Sequence, residues 1–303
     1  MSQFDRLFDL SGLSLERLRT FLRVEEAGNL SKAALGDVTK QSQYSRQIKE
    51  LEGFFGAAFT RRVGRRIEIT EDGHRLAAVI RRHFRELDEF RETMSGRSIT
   101  VKIGTQGSVI DWLLAPRLGA IREVLGNAVI EMEQHRTLDV VRAVNDGRLD
   151  FGIVREDAVA PVTRSWPLGG VGYAVFAAKP LWKGCASVQE LFGRVPVAEL
   201  LPGGQFSTRC NAWRERKGLH PQIAARVASF TDLARVVRAG HAAAVLPDIA
   251  AVDFDTKQIR HEGIPELKTR RLVLIANARN LDRAGRFPKC GELLSERLKL
   301  GQR

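Results

Sequence analysis

Residues 31–52, SKAALGDVTKQSQYSRQIKELE, restrict what this chain can become more than any other stretch. They read as two short helices joined by a tight turn, the second helix polar and basic on its outward side. Ser31 is placed as the N-cap of the first, because its hydroxyl can accept an early backbone N–H. That helix carries Ala33, Ala34 and Leu35; Gly36 and Asp37 break it, and Thr39 is the natural cap of the next, which runs to about Gly53. At roughly 100° per residue, Tyr44, Ile48 and Leu51 gather on one side and face a core. Gln41, Ser42, Ser45, Arg46 and Lys49 gather on another, with Lys40 at the helix start. Arg can bridge guanine acceptors, Gln can pair with adenine, and Ser suits base edges or phosphate, so these residue types fit a helix lying in a DNA major groove. Taken alone, the same pattern also describes an ordinary amphipathic surface helix.

The next segment separates the two readings. In AFTRRVGRRIEIT, residues 58–70, Phe59, Ile67 and Ile69 are strand-type anchors around a turn at Val63–Gly64, which makes a short hairpin. Arg61, Arg62, Arg65 and Arg66 sit on it. Four arginines on a hairpin directly after a candidate recognition helix make a wing that reaches phosphate or minor groove. A solvated basic turn is the plainer alternative.

Residues 13–75 resemble the DNA-binding domain of LysR-type transcriptional regulators. The resemblance is carried by Leu18 and Phe21 in a first helix, Ala33 and Ala34 in a second, then Gln41, Ser45, Arg46, Gln47, Ile48, Leu51 and Glu52. Gly56, Phe59, Arg61, Gly64, Arg65, Thr70 and Gly73 complete the wing and the start of the following helix. The chain departs from the family pattern at Asp37, Lys40, Gln43 and Tyr44, that is, at the turn and the contact between helices. The resemblance implies a winged helix-turn-helix whose contacts to double-stranded DNA come from Ser31, Lys40, Gln41, Ser42, Ser45, Arg46, Lys49, Arg61, Arg62, Arg65 and Arg66.

Thr70-Glu71-Asp72 opens a long helix with acids in its first turn, where the helix dipole favours them. Along it Leu76, Ile80, His83, Leu87, Phe90 and Met94 step by alternate fours and threes, an a/d seam. The seam either packs on its own domain or pairs with a second copy. The resemblance implies pairing, as homodimer or homotetramer, and paired wings would meet two half-sites on one face of DNA. His83 reads as a tolerated packing residue.

From Ser98 the pattern changes to strand, turn, helix, repeated. ITVKIGTQG (99–107), AVIEMEQ (128–134) and LDFGIV (149–154) are strands, with a helix capped by Thr137 between the last two. GYAVFAA (172–178), VPVAEL (195–200), IAARVAS (223–229) and AAAVLP (242–247) repeat the grammar around helices at 211–217 and 231–239. RLVLIANA (271–278) returns to the first block and a helix at 291–300 closes it. Strands alternating with helices imply a mostly parallel sheet in each of two doubly wound lobes, with crossings near 166–172 and 264–271.

The fold class is therefore α/β: a winged helix-turn-helix over residues 1–70, a linker helix over 71–97, and a two-lobed domain over 98–303. Lobe 1 is about 98–168 plus 269–303, and lobe 2 about 169–268. IGTQGSVIDWLLAPRL, NDGRLDFGIV and FTDLARVVRAGHAAAVLPDIA resemble the effector domain of the same family, which shares its fold with periplasmic binding proteins. Ligands in such sheets bind outside the carboxyl ends of strands. That geometry and the resemblance together nominate Thr105, Gln106 and Ser108 after one strand and His135, Arg136 and Thr137 after the next. They nominate Phe206, Ser207, Phe230 and Thr231 in the second lobe. By analogy with the family, Ser108 and Thr137 would hold an effector's carboxylate or a similar anion; each is equally readable as a helix cap.

Net charge is +12 and fits a nucleic-acid partner. Its distribution is uneven: residues 1–97 hold 18 Lys and Arg against 15 Asp and Glu, and residues 98–303 hold 30 against 21. The case for DNA rests on residues 40–66, with seven basic and two acidic side chains. The basic C-terminal half favours an anionic ligand or is simply a basic surface.

No stretch approaches the roughly 20 apolar residues that span a membrane. The first residues, MSQFDRLFDL, do not read as a secretory signal, which points to the cytoplasm. The three cysteines, Cys185, Cys210 and Cys290, are irregularly spaced, as reduced thiols are. No cofactor, metal spacing, Ser–His–Asp arrangement or phosphate loop is evident, so an enzyme is not expected.

The leading expectation is a ligand-responsive, sequence-specific transcription factor, with RNA polymerase as a further partner. Two alternatives stand beside it: a solute-binding module, and a redox-sensing regulator that pairs Cys185 with Cys210.

Overall fold

Asn29, rather than Ser31, opens the second helix. The computed structural model describes residues 7, 11–63, 66–95, 98, 100–126, 128–159, 163–267, 269–277 and 290–301. It places α1 at Leu15–Ala27, α2 at Leu30–Ala33 and α3 at Val38–Phe55. Gly28, at φ 73°, ends α1 and leaves Asn29 extended, the backbone an N-cap needs. The Asn29 side chain accepts from Lys32 N at 2.8 Å, and Ser31 is an exposed residue inside α2. Asp37 does the same for α3, accepting from Lys40 N at 3.0 Å, so the cap falls ahead of Thr39. That bond holds the Asp37 carboxyl below its ordinary pKa. A departure from the family pattern thus becomes the cap, as expected from the preference for Asp over Thr at this position. Between the helices Leu35 and Gly36 both take positive φ, 54° and 80°. Leu35 is 91% exposed and belongs to the turn, not to the helix face assigned to it.

The wing pairs β1 (Thr60–Val63) with β2 (Arg66–Ile69), antiparallel with Thr60 opposite Ile69. Thr70 then starts α4 (Glu71–Met94): its hydroxyl accepts from Gly73 N at 3.0 Å and donates to Ala58 O at 2.8 Å. Gly73 is required here, because a Cβ would stand 2.4 Å from Phe59 O. Phe21, Val24, Leu30, Ile48, Leu51, Phe59, Ala77 and Ile80 form one core, against which Tyr44 and Leu76 pack. The first two seam residues of α4, Leu76 and Ile80, therefore pack within their own domain. Below that core, Glu25 of α1 pairs with Arg81 of α4, each side chain only 8% exposed. The other Glu25 oxygen meets His74 Nδ1 at 2.9 Å, and Arg81 also approaches Glu26 at 3.6 Å.

Apart from a short turn at Asn145–Arg148, the chain divides into two compact units between Ile99 and Thr100. The second unit holds two five-stranded sheets. Lobe 1 contains β3 (Thr100–Thr105), β4 (Val129–Gln134), β5 (Phe151–Arg155), β6 (Thr163–Val171) and, after the excursion into lobe 2, β12 (Arg270–Asn277). Its order is β4-β3-β5-β12-β6. A helical stretch at 107–124, here α5, includes a π-helical segment Ile110–Leu114 and a 3-10 turn with Pro116 at its start. α6 (Thr137–Asn145) and α10 (Cys290–Arg297) complete the lobe.

Lobe 2 holds β7 (Tyr173–Ala178), α7 (Val188–Arg194), β8 (Val197–Leu200), α8 (Gln205–Arg216), β9 (Ile223–Val227), α9 (Phe230–Arg238), β10 (Ala243–Pro247) and β11 (Ile259–Gly263). These strands order as β11-β7-β10-β8-β9.

The sheets are mixed, not mostly parallel. β12 runs antiparallel to β5 and β6, and β7 antiparallel to β10 and β11. In each sheet the strand that arrives across the lobe boundary runs against its neighbours. The expected crossing at 166–172 is mostly β6, an edge strand paired along its length with β12; the chain actually crosses at Gly172 and again between Gly263 and Arg270. β11, with the sequence IRHEG, has too little apolar content to announce itself. α8 starts six residues earlier than its sequence suggested, so Phe206 and Ser207 lie in its first turn instead of a loop.

Residues of β7 alternate between two cores. Tyr173, Val175 and Ala177 join the side with Phe192, Phe206 and Trp213, while Ala174 and Phe176 join Leu233, Val237 and Phe254 on the other.

Replacing Glu25 with Ala leaves the buried Arg81 cation, among the described residues, with only the mostly exposed Glu26, 3.6 Å away, as a carboxylate partner. Denaturant unfolding should show the first unit destabilised by about 3–5 kcal/mol, with the two-lobed unit's transition unmoved.

Candidate functional site

The outward face of α3 is where its cap and its core contacts leave it. Ser42, Arg46 and Lys49 are exposed, Gln41 and Ser45 are half-buried at its edge, and Lys40 lies 3.8 Å from Asp37. Gln43 is exposed too, so this departure from the family pattern adds a polar group to the surface.

Glu52, in the last turn of α3, fixes the wing to the helix. Its Oε1 accepts from Phe59 N, Thr60 N and Thr60 Oγ1, each at 2.9 Å. A groove of about 270 Å³ runs between the two, lined by Ser45, Lys49, Glu52, Arg61 and Arg62 among others. Arg61 is held on the strand by Glu68 at 3.0 Å, whereas Arg62 is exposed. Arg65 and the Arg66 side chain lie outside the described residues.

Along α4, His83 is exposed and meets Glu86 at 3.5 Å. Leu87, Phe90 and Met94 are 58%, 66% and 69% exposed. Together with Leu15, Phe84 and the intervening charges, Leu87 borders an open groove of about 600 Å³.

In the second unit the nominated residues collect at the carboxyl edges of the two sheets, but they are not equivalent. Thr105 is fully buried and its hydroxyl donates to Ile153 O at 2.8 Å, which ties β3 to β5. Gln106 is the N-cap residue of α5 without a side-chain cap bond; its Nε2 donates to Thr137 Oγ1 at 3.4 Å. Ser108 sits inside that opening turn, so it is not the cap. His135 N donates to Thr105 O at 2.8 Å, and its Nε2 lies 2.8 Å from Glu133, which offsets any cation there; Arg136 is exposed.

On lobe 2, Phe206 stacks near Tyr173 at 4.8 Å and edge-on to Phe230 at 4.8 Å. Ser207 is buried with its hydroxyl donating to Leu201 O at 3.0 Å. Thr231 Oγ1 is 2.9 Å from the Ser229 hydroxyl that caps α9. Three residues that sequence reasoning passed over share this edge: Tyr173 opens β7, Arg155 ends β5 and Arg270 opens β12. The strand-end rule applied above would have found Arg155; Tyr173, at the start of β7, needed the observed antiparallel direction of that strand. Arg270 needed the observed direction of β12.

Comparison with known proteins fits both halves. Residues 15–74 match the bacterial regulatory helix-turn-helix, lysR family, and residues 95–286 match the LysR substrate binding domain. This chain is a LysR-family transcriptional regulator. It binds DNA, carries an effector-binding domain, and belongs to a family that is not enzymatic. The regulator is 26% identical, over 87% of its length and 88% of the relative's, to a probable nitrogen assimilation transcriptional activator of Synechococcus elongatus. Its fold is shared with ArgP from Mycobacterium tuberculosis (TM-score 0.63, 17% identity, 94% of this chain and 98% of that one). Full-length CbnR, solved in complex with its target DNA, also aligns (TM-score 0.54, 21% identity, 92% and 99%).

Removing the Glu52 carboxylate should free the wing. Glu52→Ala should cost the first unit about 2–3 kcal/mol and weaken binding to every duplex, read by unfolding and by fluorescence anisotropy on the full-length regulator.

Proposed function

We propose that residues 1–70 read the operator, that residues 71–97 pair two copies, and that residues 98–303 bind the effector between lobes 98–168 plus 269–303 and 169–268. One observation carries the reading of DNA: Ser45 and Lys49 of α3 line one groove with Arg61 and Arg62 of the wing, and Ser42 and Arg46 are exposed on the same helix. Gln41, Ser45 and Lys40 border the same face, with Arg65 and Arg66 assigned to phosphate by their place in the wing. Ser31, exposed one helix earlier, is assigned to backbone contact. The CbnR complex with its target DNA supports this use of the fold.

Pairing is assigned to the exposed end of the α4 seam. Leu87, Phe90 and Met94 present an apolar row to solvent with nothing in the first unit's core to cover it. A second copy of the same row would bury it, giving a dimer, from which a tetramer can be built. Leu76 and Ile80 stabilise the helix on its own domain instead, and His83 borders the pairing row.

The effector is a small molecule, and an anionic one is favoured by the helix starts and cations at the sheet edges. Gln106, Ser108, His135, Arg136 and Thr137 form one lip, and Phe206, Ser207, Phe230 and Thr231 the other, with Thr105 as their support. Bound upstream of a promoter, such a dimer is placed to meet RNA polymerase. Among the described residues no helix is long and apolar enough to cross a membrane; a DNA partner supports the reading of a cytoplasmic protein.

A redox reading has less support. Cys185, Cys210 and Cys290 are all buried, and Cys185 and Cys210 form no disulfide with each other. Burial pushes the Cys210 thiol up to about 11, so it stays protonated, and a protonated thiol is a poor nucleophile. Peroxide at neutral pH should therefore leave the regulator's DNA affinity unchanged in a gel-shift titration.

Operator reading is tested with the full-length protein on the DNA upstream of its own gene and on random duplex, across a salt series. Arg46→Ala should lose roughly 1–3 kcal/mol on the cognate site and little on random DNA. Arg62→Ala should weaken both alike and flatten the salt slope by about one unit. Equal, weak binding of the wild type to both duplexes would sink the assignment of α3 as the reader.

A further inference from the structure

At the hinge end of the inter-lobe cleft, guanidinium groups from two separate elements flank one aromatic ring, and a third arginine bridges the lobes. The Cζ atoms of Arg209, on α8, and Arg270, at the start of β12, stand 6.0 and 5.9 Å from the centroid of the Tyr173 ring. Arg155, at the end of β5 and opposite Leu272 of β12, reaches across the cleft to donate to Gln205 Oε1 at the start of α8. Tyr173 is 4% exposed, and it leads into the aromatic group with Phe206 and Phe230.

The arrangement is costly as it stands. Arg270 Nη2 is buried and has no hydrogen-bond partner among the described residues, and such a donor loses its water without replacement. Burial holds the Arg270 pKa below its ordinary value, with Tyr173 opposing and Arg209 and Arg155 adding to the depression. Asp157 is 3.5 Å from Arg155 but 68% exposed, and Asp248 is committed to Gly172 N at 3.0 Å. An oxygen anion would supply the acceptor that Arg270 Nη2 lacks, and forked Arg donors suit carboxylate and phosphate geometry.

We propose that Arg155, Arg209 and Arg270 form an oxyanion site at the hinge, taking the carboxylate or phosphate of the effector while its apolar part meets the partly exposed Phe230, which packs on Tyr173 and Phe206. The proposal rests on the cleft being the effector site, and it moves the main charged contact from the Thr137 lip to the strands that connect the lobes. Because Arg155 and Arg270 belong to lobe 1 and Arg209 to lobe 2, an anion held there bridges the two.

Calorimetric titration of the full-length regulator with benzoate, inorganic phosphate and benzylamine, at constant ionic strength, tests this. Benzoate, phosphate or both should bind, and benzylamine should not; a preference for benzoate marks a carboxylate on the aromatic shelf, a preference for phosphate the anion alone. Arg270→Gln and Arg209→Gln should each weaken the preferred anion by about tenfold or more. Thermal unfolding and DNA binding report whether each variant is folded, and if Arg270→Gln is not, Arg209→Gln decides. No binding of either anion, or unchanged affinity in the folded arginine variant, overturns the proposal. A loss confined to Thr137→Val would overturn it while keeping the cleft as the effector site. Anion binding unmoved by any of the three variants would overturn the cleft reading as well.

Discussion

The antiparallel seating of β12 between β5 and β6 governs the C-terminal half. A strand that returns from the second lobe must enter the first sheet at the edge where the chain left it, so both crossings fall side by side. Gly172 carries one and the segment between Gly263 and Arg270 the other. Two adjacent crossings act as a hinge and leave the opposite edges of the sheets facing one another. The same seating brings the first residue of β12 and the last of β5 to the cleft: Leu272 pairs with Arg155, and Arg270 with Val171. A wholly parallel sheet would have sent the start of the last strand to the far end, away from any ligand. The mixed topology is thus what allows residues far apart in sequence to meet around Tyr173.

The first unit depends on a different constraint, the placement of α4 on the helix-turn-helix. Apolar packing through Ala77 and Ile80 supplies most of the contact, but it is not directional. The buried Glu25–Arg81 pair is: the carboxylate of α1 reaches both Arg81 and His74, one turn and more apart on α4, and so sets the rotation of the long helix. Such a pair is weak evidence for stability and better evidence for a fixed register. With the rotation set, Leu87, Phe90 and Met94 emerge on one outward row, which is the geometry a pairing helix requires. Glu52 plays the matching role for the wing, with three donors on a single oxygen.

Much of this was legible from residue patterns because the signals are local. Helical periodicity sorted Ile48 and Leu51 from Arg46 and Lys49, and strand-type anchors at Phe59, Ile67 and Ile69 located the wing. The misreadings share a cause: they depend on what precedes or opposes a residue. Ser31 and Thr39 are sound caps by composition, yet Gly28 sets the extended backbone at Asn29, and Asp37 reaches Lys40 N first. Leu35 resembles a core residue until the turn is known to need two left-handed positions. β6 and β11 are edge strands with little alternation, recognisable only through their partners β12 and β7. The hinge arginines lie on three elements, and no short window of sequence contains two of those elements.

The two lobes are also tied at a second place, and this bears on how an effector could act. Trp112, from the π-helical segment of α5 in lobe 1, is 1% exposed and packs into the lobe 2 core with Phe176, Leu233 and Val237. Its Nε1 donates to Asp253 at 3.3 Å, and Arg238 holds the same carboxylate at 2.9 Å. Withdrawing an indole from such a site exposes on the order of 150 Å² or more, a cost of roughly 4 kcal/mol. At that cost a fully opened form would be on the order of one molecule in a thousand. A ligand shifts an equilibrium only by its difference in affinity for the two states, and a molecule that bound the open form would first have to offset the loss of this contact. The efficient course is therefore a small pivot about the paired crossings with Trp112 kept in place. Cations at the hinge are well sited for it: a small displacement there can be made while Trp112 keeps its contact with lobe 2.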